Sequence, residues 1–565
     1  MKNYPLYKAY NYVNIRELLE DAAFRHGNNI AYSYRVKASD AESVKVSFTQ
    51  LAEDVRALAT SAVKLGMKDG NVAVIGKLSY GWVCTYLALL SVGAVIVPLD
   101  ADWSAEELAS TVKVAECTTL FCGNDVLKSK ADIICREAGI KTVVAMENGE
   151  CEHTLRGLID SGSAARLLGD TAYECARISP DMIALLVFTS GTTGKGKGVM
   201  LSQTAIVSDI TSGLSLIEGY RKTIGLLPPH HTFGSTVSIL GNLIIGAEVY
   251  ISSGLRYIMR ELKEERPEHL VMVPLYLETF RRKILDTARD TGKEKALGQL
   301  FKISAGMSKA GIDLRRRLFS SILAFFGGKL KFVICGGAPL SSTVADFFEA
   351  MGIRVLNGYG ITECAPLISV NRNRQTKEGS VGHVIPIDRV KIKDPNEQGD
   401  GEICVKGPNV MLGYYKDPEA TDAAFDNDGY FLTGDYGHLD SEGWLYITGR
   451  LKNLIILSNG KNVYPEEIET ELSDIPGIAD VVVYEGISRT EGKADTIVAE
   501  IYPSFEYLEK NGIEDAYSHF NRYVTEYNRN AVPYKKVGAL KIRETEFPKN
   551  TLRKIMRFKL DRSID

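Results

Sequence analysis

The chain has 565 residues, too many for one ordinary domain, and its 45% hydrophobic and 24% charged content is that of a globular protein with sizeable cores. A net charge of −4 lacks the strongly basic balance of a dedicated nucleic-acid binder. The nine cysteines form no Cys-x-x-Cys pair and no zinc-spaced set with histidine, the pattern of reduced, mostly buried thiols in a cytoplasmic protein.

The first residues, MKNYPLYKAYNYVNIREL, contain no apolar signal-peptide core. From Ser47 to Gly66, apolar residues recur at helical spacing and the pattern stops at glycine, which predicts a helix. VAVIGK, GAVIVPLD, TTLFCGND and KTVVAME are short β-branched runs that end in Gly, Asp or polar turns. The most apolar run, CTYLALLSVGAVIVPL, has 16 residues, short of the ~20 that a spanning helix needs, so membrane contact is expected to be peripheral at most. Buried runs interleaved with helices predict a largely parallel sheet covered on both faces.

The strand-like IALLVF then runs into TSGTTGKGKG, Thr189 to Gly198. Gly191, Gly196 and Lys197 nearly satisfy the P-loop pattern, but Gly198 stands where its hydroxyl belongs. A P-loop also leads directly into a helix. Here VMLS is extended, and the first plausible N-cap is Ser202. The stretch still reads as a phosphate cradle: glycines for close approach, the hydroxyls of Thr189, Ser190, Thr192 and Thr193, and Lys197 as a point charge.

Farther along come LLPPHHTFGSTVSILGNLIIGAEVYI, then CGGAPL after the strand LKFVI, NGYGITECAP, GYFLTGD, GRLKNLIILSNGKNVYPEEIE and FPKNTLRKIMR. The texture changes after Arg450. Pro465 stands at a first helical position with Glu466 and Glu467 in the first turn, where carboxylates favour the helix dipole. IADVVVYEGI and ADTIVAEIYP read as strands, followed by a helix near Ala516–Tyr527 and a strand near Val537–Arg543. The expected architecture is α/β: a large N-terminal domain, 1–450, of layered sheets with covering helices, and a small mobile C-terminal α+β domain, 451–565.

Taken together and in this order, the phosphate loop, NGYGITECAP, GYFLTGD, GRLKNLIILSNGKNVYPEEIE and FPKNTLRKIMR resemble the adenylate-forming superfamily of acyl-CoA synthetases, adenylation domains and luciferases. The resemblance covers essentially the whole chain, and NLIILSNGKNVYPEEIE and LPPHHTFG look like its bacterial fatty-acid branch. It implies an acid–thiol ligase. The carboxylate of a medium- or long-chain fatty acid attacks the α-phosphorus of MgATP, pyrophosphate leaves, and the thiol of coenzyme A then displaces AMP. An acyl carrier protein is the alternative acceptor; an aryl-CoA ligase and a catalytically silent nucleotide- or acyl-binding protein are weaker readings. No nucleic-acid partner is expected.

The resemblance also implies roles for particular residues. Thr189, Ser190, Gly191, Thr192, Thr193, Gly194 and Lys197 form the phosphate loop. Thr362 binds the α-phosphate and Glu363 holds Mg²⁺. Tyr359 stacks on adenine, Asn357 and Gly358 border the base, and Gly336, Gly337 and Ala338 lie along its other face. Asp435 accepts from ribose and Arg450 donates to the same region. Lys554 is the mobile catalytic lysine, Lys452 the hinge, and Gly460 lines the passage for a pantetheine arm. His231, Gly234, Ser235, Gly337 and Gly360 border the acyl group, and Gly241 is a further small residue for a tunnel wall. Two positions depart from the family's usual residues: Gly196 replaces a proline, which should loosen the loop, and Arg553 replaces a glycine before Lys554.

Overall fold

The computed structural model describes residues 4–8, 10–147, 149–189, 196–457, 461–488, 492–549 and 555–564, and the apolar patterns become layers within it. Ser47 caps the helix Phe48–Lys64 by accepting a hydrogen bond from the Gln50 N–H, and Leu51, Val55, Leu58 and Ala62 form its buried stripe. The most apolar run divides in two. Tyr80–Leu90 is a helix buried on all sides from Gly81 onward, and Val95–Leu99 is an inner strand. Among the described residues, no helix is long and apolar enough to cross a membrane.

Asn71–Ile75, Val95–Leu99, Cys117–Cys122, Thr142–Ala145 and Ile183–Thr189 run parallel within an eight-stranded sheet. Beside them, Ile183–Thr189 returns antiparallel as Lys197–Ser202, with Thr189 opposite Lys197. Only then does Ser202 cap the helix Gln203–Leu216. The loop therefore joins strand to strand, a different connection from the strand-to-helix turn of a P-loop.

The second sheet has nine strands and corrects the expectation of largely parallel pairing. His269–Met272, Phe332–Cys335 and Arg354–Gly360 are parallel, but every pairing from Leu367 onward is antiparallel. The reason lies in the connections. Tight turns such as 396–399 and 440–443 close hairpins, whereas parallel neighbours need crossovers of a dozen or more residues. A four-stranded sheet of Lys222–Gly225, Glu248–Ile251, Ile30–Tyr34 and Val44–Ser47 completes the larger part.

The smaller C-terminal part has its own core, in which Ile468, Leu472, Val483, Ile501, Phe520 and Val524 pack together. Pro465 begins the helix Pro465–Ser473, and the helix Ala516–Asn530 covers a sheet of Ile478–Ser488, Gly492–Pro503 and Ala539–Ile542. Polar contacts join it to the larger part. Thr343 Oγ1 and Ser341 Oγ donate to Asp474 at 2.8 and 3.2 Å, and Lys510 Nζ lies 2.6 Å from Asp290 Oδ1. All nine cysteines are free thiols.

Candidate active site

Strand register creates the first element of the site. Asp435, on Phe431–Leu439, stands opposite Arg450, on Trp444–Arg450, and Arg450 Nε lies 2.8 Å from Asp435 Oδ1. Tyr359 reaches the same carboxylate from Arg354–Gly360 and donates its hydroxyl to Oδ2 at 2.7 Å. Asp435 is only 3% exposed, so this buried charge is held by two donors. Burial, aided by the Asp435 charge, pushes the Tyr359 hydroxyl well above its ordinary pKa, and it remains a donor. Three residues that the sequence offers as separate nucleotide contacts are thus one hydrogen-bonded chain.

Cys335 pairs in register with Asn357, so Gly336–Ala338 leaves its strand beside Asn357 and Gly358. At Gly360 the backbone admits no side chain: a Cβ there would sit 2.0 Å from the Pro366 carbonyl oxygen. This close approach draws in the single turn Thr362–Cys364, with Ile361 N donating to Pro366 O at 2.8 Å. Glu363 Oε1 accepts from the Tyr414 hydroxyl at 3.1 Å, and Lys197 Nζ lies 4.5 Å from the centroid of the same ring. Tyr414 thereby connects the end of the phosphate loop to Glu363. Sequence reasoning missed it, because GYYKDP reads as a turn. Its position comes from the pairing of Gly413–Tyr414 with Met200 and Val199.

Behind this turn lies a buried carboxyl pair. Asn409 Nδ2 approaches Asp209 Oδ1 at 3.3 Å, Asp388 Oδ2 at 3.1 Å and the carbonyl of Cys364 at 3.1 Å. Burial pushes the Asp388 carboxyl up to about 7, and Asp209, buried and facing the Asp388 charge, is raised as well. Asp388 sits above the unfolded value near 4, so its stability contribution is complete below about pH 4 and is lost as pH rises through about 7; Asp209 shifts in the same direction. Asp388→Asn should therefore stabilise the protein at pH 8 by on the order of 1–3 kcal/mol and change little at pH 4. Thermal unfolding at the two pH values checks this, and equal effects at both would contradict it.

Thr189 and Lys197 face each other where the phosphate-loop strands meet, with Thr189 Oγ1 3.5 Å from Lys197 O. Gly196 adds a constraint here, since a Cβ would lie 2.6 Å from the Thr189 carbonyl oxygen. The glycine therefore permits a close strand approach. Ser190, Gly191, Thr192, Thr193 and Gly194 lie outside the described residues, as do Gly460, Arg553 and Lys554. Lys452 occupies the single turn Leu451–Asn453 that directly follows the strand ending at Arg450.

An apolar cavity opens beside Gly336, Gly337, Tyr359 and Gly360. Its wall includes Phe233, Val237 and Gly241, from a stretch in which Gly241 N bonds Thr236 O, the wide i→i+5 helical pattern. Gly337, Gly360 and Gly241 border the cavity, but Gly234, Ser235 and His231 are not among its lining residues. Gly234 packs on the Pro228 carbonyl, 2.2 Å from where its Cβ would be, and Ser235 Oγ donates to His231 O at 3.2 Å. The acyl stretch turns different side chains inward because the widened helix shifts the spacing by which a face would be read.

Known proteins share this architecture. The model of the family described as AMP-binding enzyme matches residues 19–415. The long-chain-fatty-acid–CoA ligase FadD15 of Mycobacterium bovis is 29% identical over 487 residues, 82% of this chain and 78% of that protein. Long-chain-fatty-acid–CoA ligase 1 of Homo sapiens is 29% identical over 511 residues, 84% of this chain and 72% of its own. ATP-bound MatB from Rhodopseudomonas palustris superposes with a TM-score of 0.75 at 24% identity, covering 97% of this chain and 98% of that one.

Proposed function

The chain belongs to the AMP-binding enzyme family, and from that premise we propose that it is a fatty acid–CoA ligase that forms acyl-AMP and then acyl-CoA. One observation carries the substrate reading. An apolar cavity walled by Phe233, Val237, Val271 and Ile334 ends beside the nucleotide-side residues Gly336, Tyr359 and Gly360, an apolar lining with few polar groups that suits an acyl chain. Relatives named as long-chain-fatty-acid ligases support the same reading.

In the first half-reaction, a carboxylate oxygen forms a bond to the α-phosphorus of ATP while the bond to pyrophosphate breaks. Asp435 and Arg450 hold the ribose side, Tyr359 and Gly336–Ala338 enclose the base, and Thr362 donates to the α-phosphate. The phosphate loop and Lys197 hold the remaining phosphates. Such a reaction depends on positioned charge and oriented donors. Glu363 suits Mg²⁺, which commonly takes one or two carboxylates together with substrate phosphates and waters. Bound there, Mg²⁺ would offset phosphate charge.

In the second half-reaction, the thiolate sulfur bonds to the acyl carbon and AMP departs. We place the domain boundary at Arg450 and the hinge at Lys452, with Lys554 serving adenylation and Gly460 the pantetheine passage. The exposed pairs Thr343–Asp474 and Lys510–Asp290 contribute only about 0–1 kcal/mol each and would part readily in such a rotation, while the buried stack of Tyr436 on Tyr464, with ring centroids 5.3 Å apart, would have to open.

The test is pyrophosphate release from MgATP across short to C18 fatty acids, aryl acids and amino acids, with and without coenzyme A. Sustained turnover with a fatty acid only when coenzyme A is present is expected. A single turnover that coenzyme A does not relieve would favour a carrier-protein acceptor, and no acid-dependent release would reject the ligase reading. In the same assay, Val237→Trp fills the cavity wall and should lower kcat/KM for C16 relative to C8 acids by about tenfold or more. An unchanged chain-length profile would remove this cavity from the substrate path.

A further inference from the structure

The acyl cavity is lined almost entirely by apolar residues, but two polar side chains interrupt it at depth. His269 begins the strand His269–Met272. Parallel register pairs it with Phe332, while Met272 pairs with Cys335, next to Gly336 at the nucleotide end. Three residues at about 3.3 Å each therefore put His269 roughly 10 Å below that end. Alternation along the strands brings His269 and Val271 to the cavity together with Phe332 and Ile334.

Asn242 fixes the tautomer of this histidine. Its Nδ2 donates to Ser238 O at 2.7 Å, which leaves Oδ1 to face His269 Nε2 at 2.8 Å. Nε2 must then carry the proton, and Nδ1 is a bare acceptor. Burial lowers the imidazole pKa to about 4, so the ring is neutral near pH 7. His269 is 2% exposed, and Nδ1 has no hydrogen-bond partner. Phe332 lies level with it, and the lining also includes the apolar Ile217 and Ile245. A buried acceptor left unpaired costs about 1–3 kcal/mol, which a donor on the bound molecule would recover.

We propose that His269 Nδ1 accepts a hydrogen bond from a hydroxyl on the acyl chain, far from the carboxyl, so that hydroxylated long-chain acids are the preferred substrates. The inference rests on the fatty-acid reading above and narrows it. A plain methylene chain leaves the acceptor unpaired. An ionised second carboxylate offers only acceptors and would face a lone pair, so dicarboxylic acids are disfavoured. His269 is thus a specificity residue, and Asn242 a positioning residue that acts through it.

The experiment measures kcat/KM with MgATP and coenzyme A for C16 acids: unsubstituted, hydroxylated at successive positions of the distal half, and α,ω-dicarboxylic. Wild type is expected to favour at least one hydroxy acid over the plain acid by about tenfold. His269→Leu should bring that ratio to one or below, and Asn242→Leu should shrink it by releasing the tautomer. A wild-type ratio near one for every hydroxyl position overturns the proposal. A ratio that persists in His269→Leu does the same. If none of these acids is turned over, the ligase reading fails separately. Calorimetric binding of the same acids to wild type and His269→Leu then decides the hydroxyl preference by the same ratio.

Discussion

Replacing Lys554 by alanine is expected to slow acyl-adenylate formation by on the order of 10²–10⁴-fold, while thioester formation from supplied acyl-AMP stays within a few-fold of wild type. The first half-reaction gathers negative charge from a carboxylate and a triphosphate, and an ammonium group there acts mainly in the transition state. The second step takes AMP away as the leaving group and, under the proposed rotation of the small domain, needs no charge at that position. The supports of this segment are built for placement. Lys549 pairs with Asp480 at 2.7 Å and with Glu546 at 2.9 Å, and it bridges to Ile555 across the segment 550–554. Met556 N donates to Pro548 O at 2.8 Å beside it. Pyrophosphate release and single-turnover acyl transfer, measured separately, give the two rates. Equal losses in both would refute a two-conformation role. Gly460→Leu is its counterpart, with acyl transfer slowed and adenylation kept.

Asp435→Ala is expected to lower kcat/KM for ATP by about 10²–10³-fold, with a much smaller effect on the apparent KM for the fatty acid. The substitution removes a proposed ribose acceptor and, with it, the partner shared by two other groups. Tyr359 loses its 2.7 Å hydrogen bond and Arg450 its 2.8 Å ion pair. Tyr359 is well enclosed, so its hydroxyl would be left without its acceptor, whereas the half-exposed Arg450 head can return to water. Asp435→Asn keeps an acceptor but lacks the charge, and it should fall between wild type and Asp435→Ala. Titration of ATP at saturating acid checks the prediction; an Asp435→Ala enzyme within threefold of wild type would show that this carboxylate only braces the strands.

Much of this was legible along the chain, because local physics writes itself locally. Ser202 announces a helix start through a side chain that can cap, and it does so; the apolar spacing from Ser47 announces another, and the helix Phe48–Lys64 follows. Pro465 marks a first helical residue through its fixed φ and missing N–H, and the helix begins there. The lack of a hydroxyl and of a helix after Lys197 separates the loop from a P-loop, and antiparallel Lys197–Ser202 bears that out. The antiparallel half of the second sheet was less visible, since a strand's sequence pattern does not state the direction of its partner.

By itself, then, the sequence determined the elements, the order of the motifs and the types of residue available for phosphate, ribose and acyl chemistry. Tertiary structure alone decided which of them meet. Register across Phe431–Leu439 and Trp444–Arg450 joins Asp435 to Arg450, and an edge strand brings Tyr414 to Glu363. The fold also turned Phe233, Val237 and Asn242 rather than His231, Gly234 and Ser235 to the cavity, and it set His269 at depth with a lone pair unfilled. The reason is physical. Capping, turns and periodicity act over a few residues, whereas cavities and hydrogen-bonded chains arise from groups tens or hundreds of positions apart, whose encounter depends on sheet register and helix rotation.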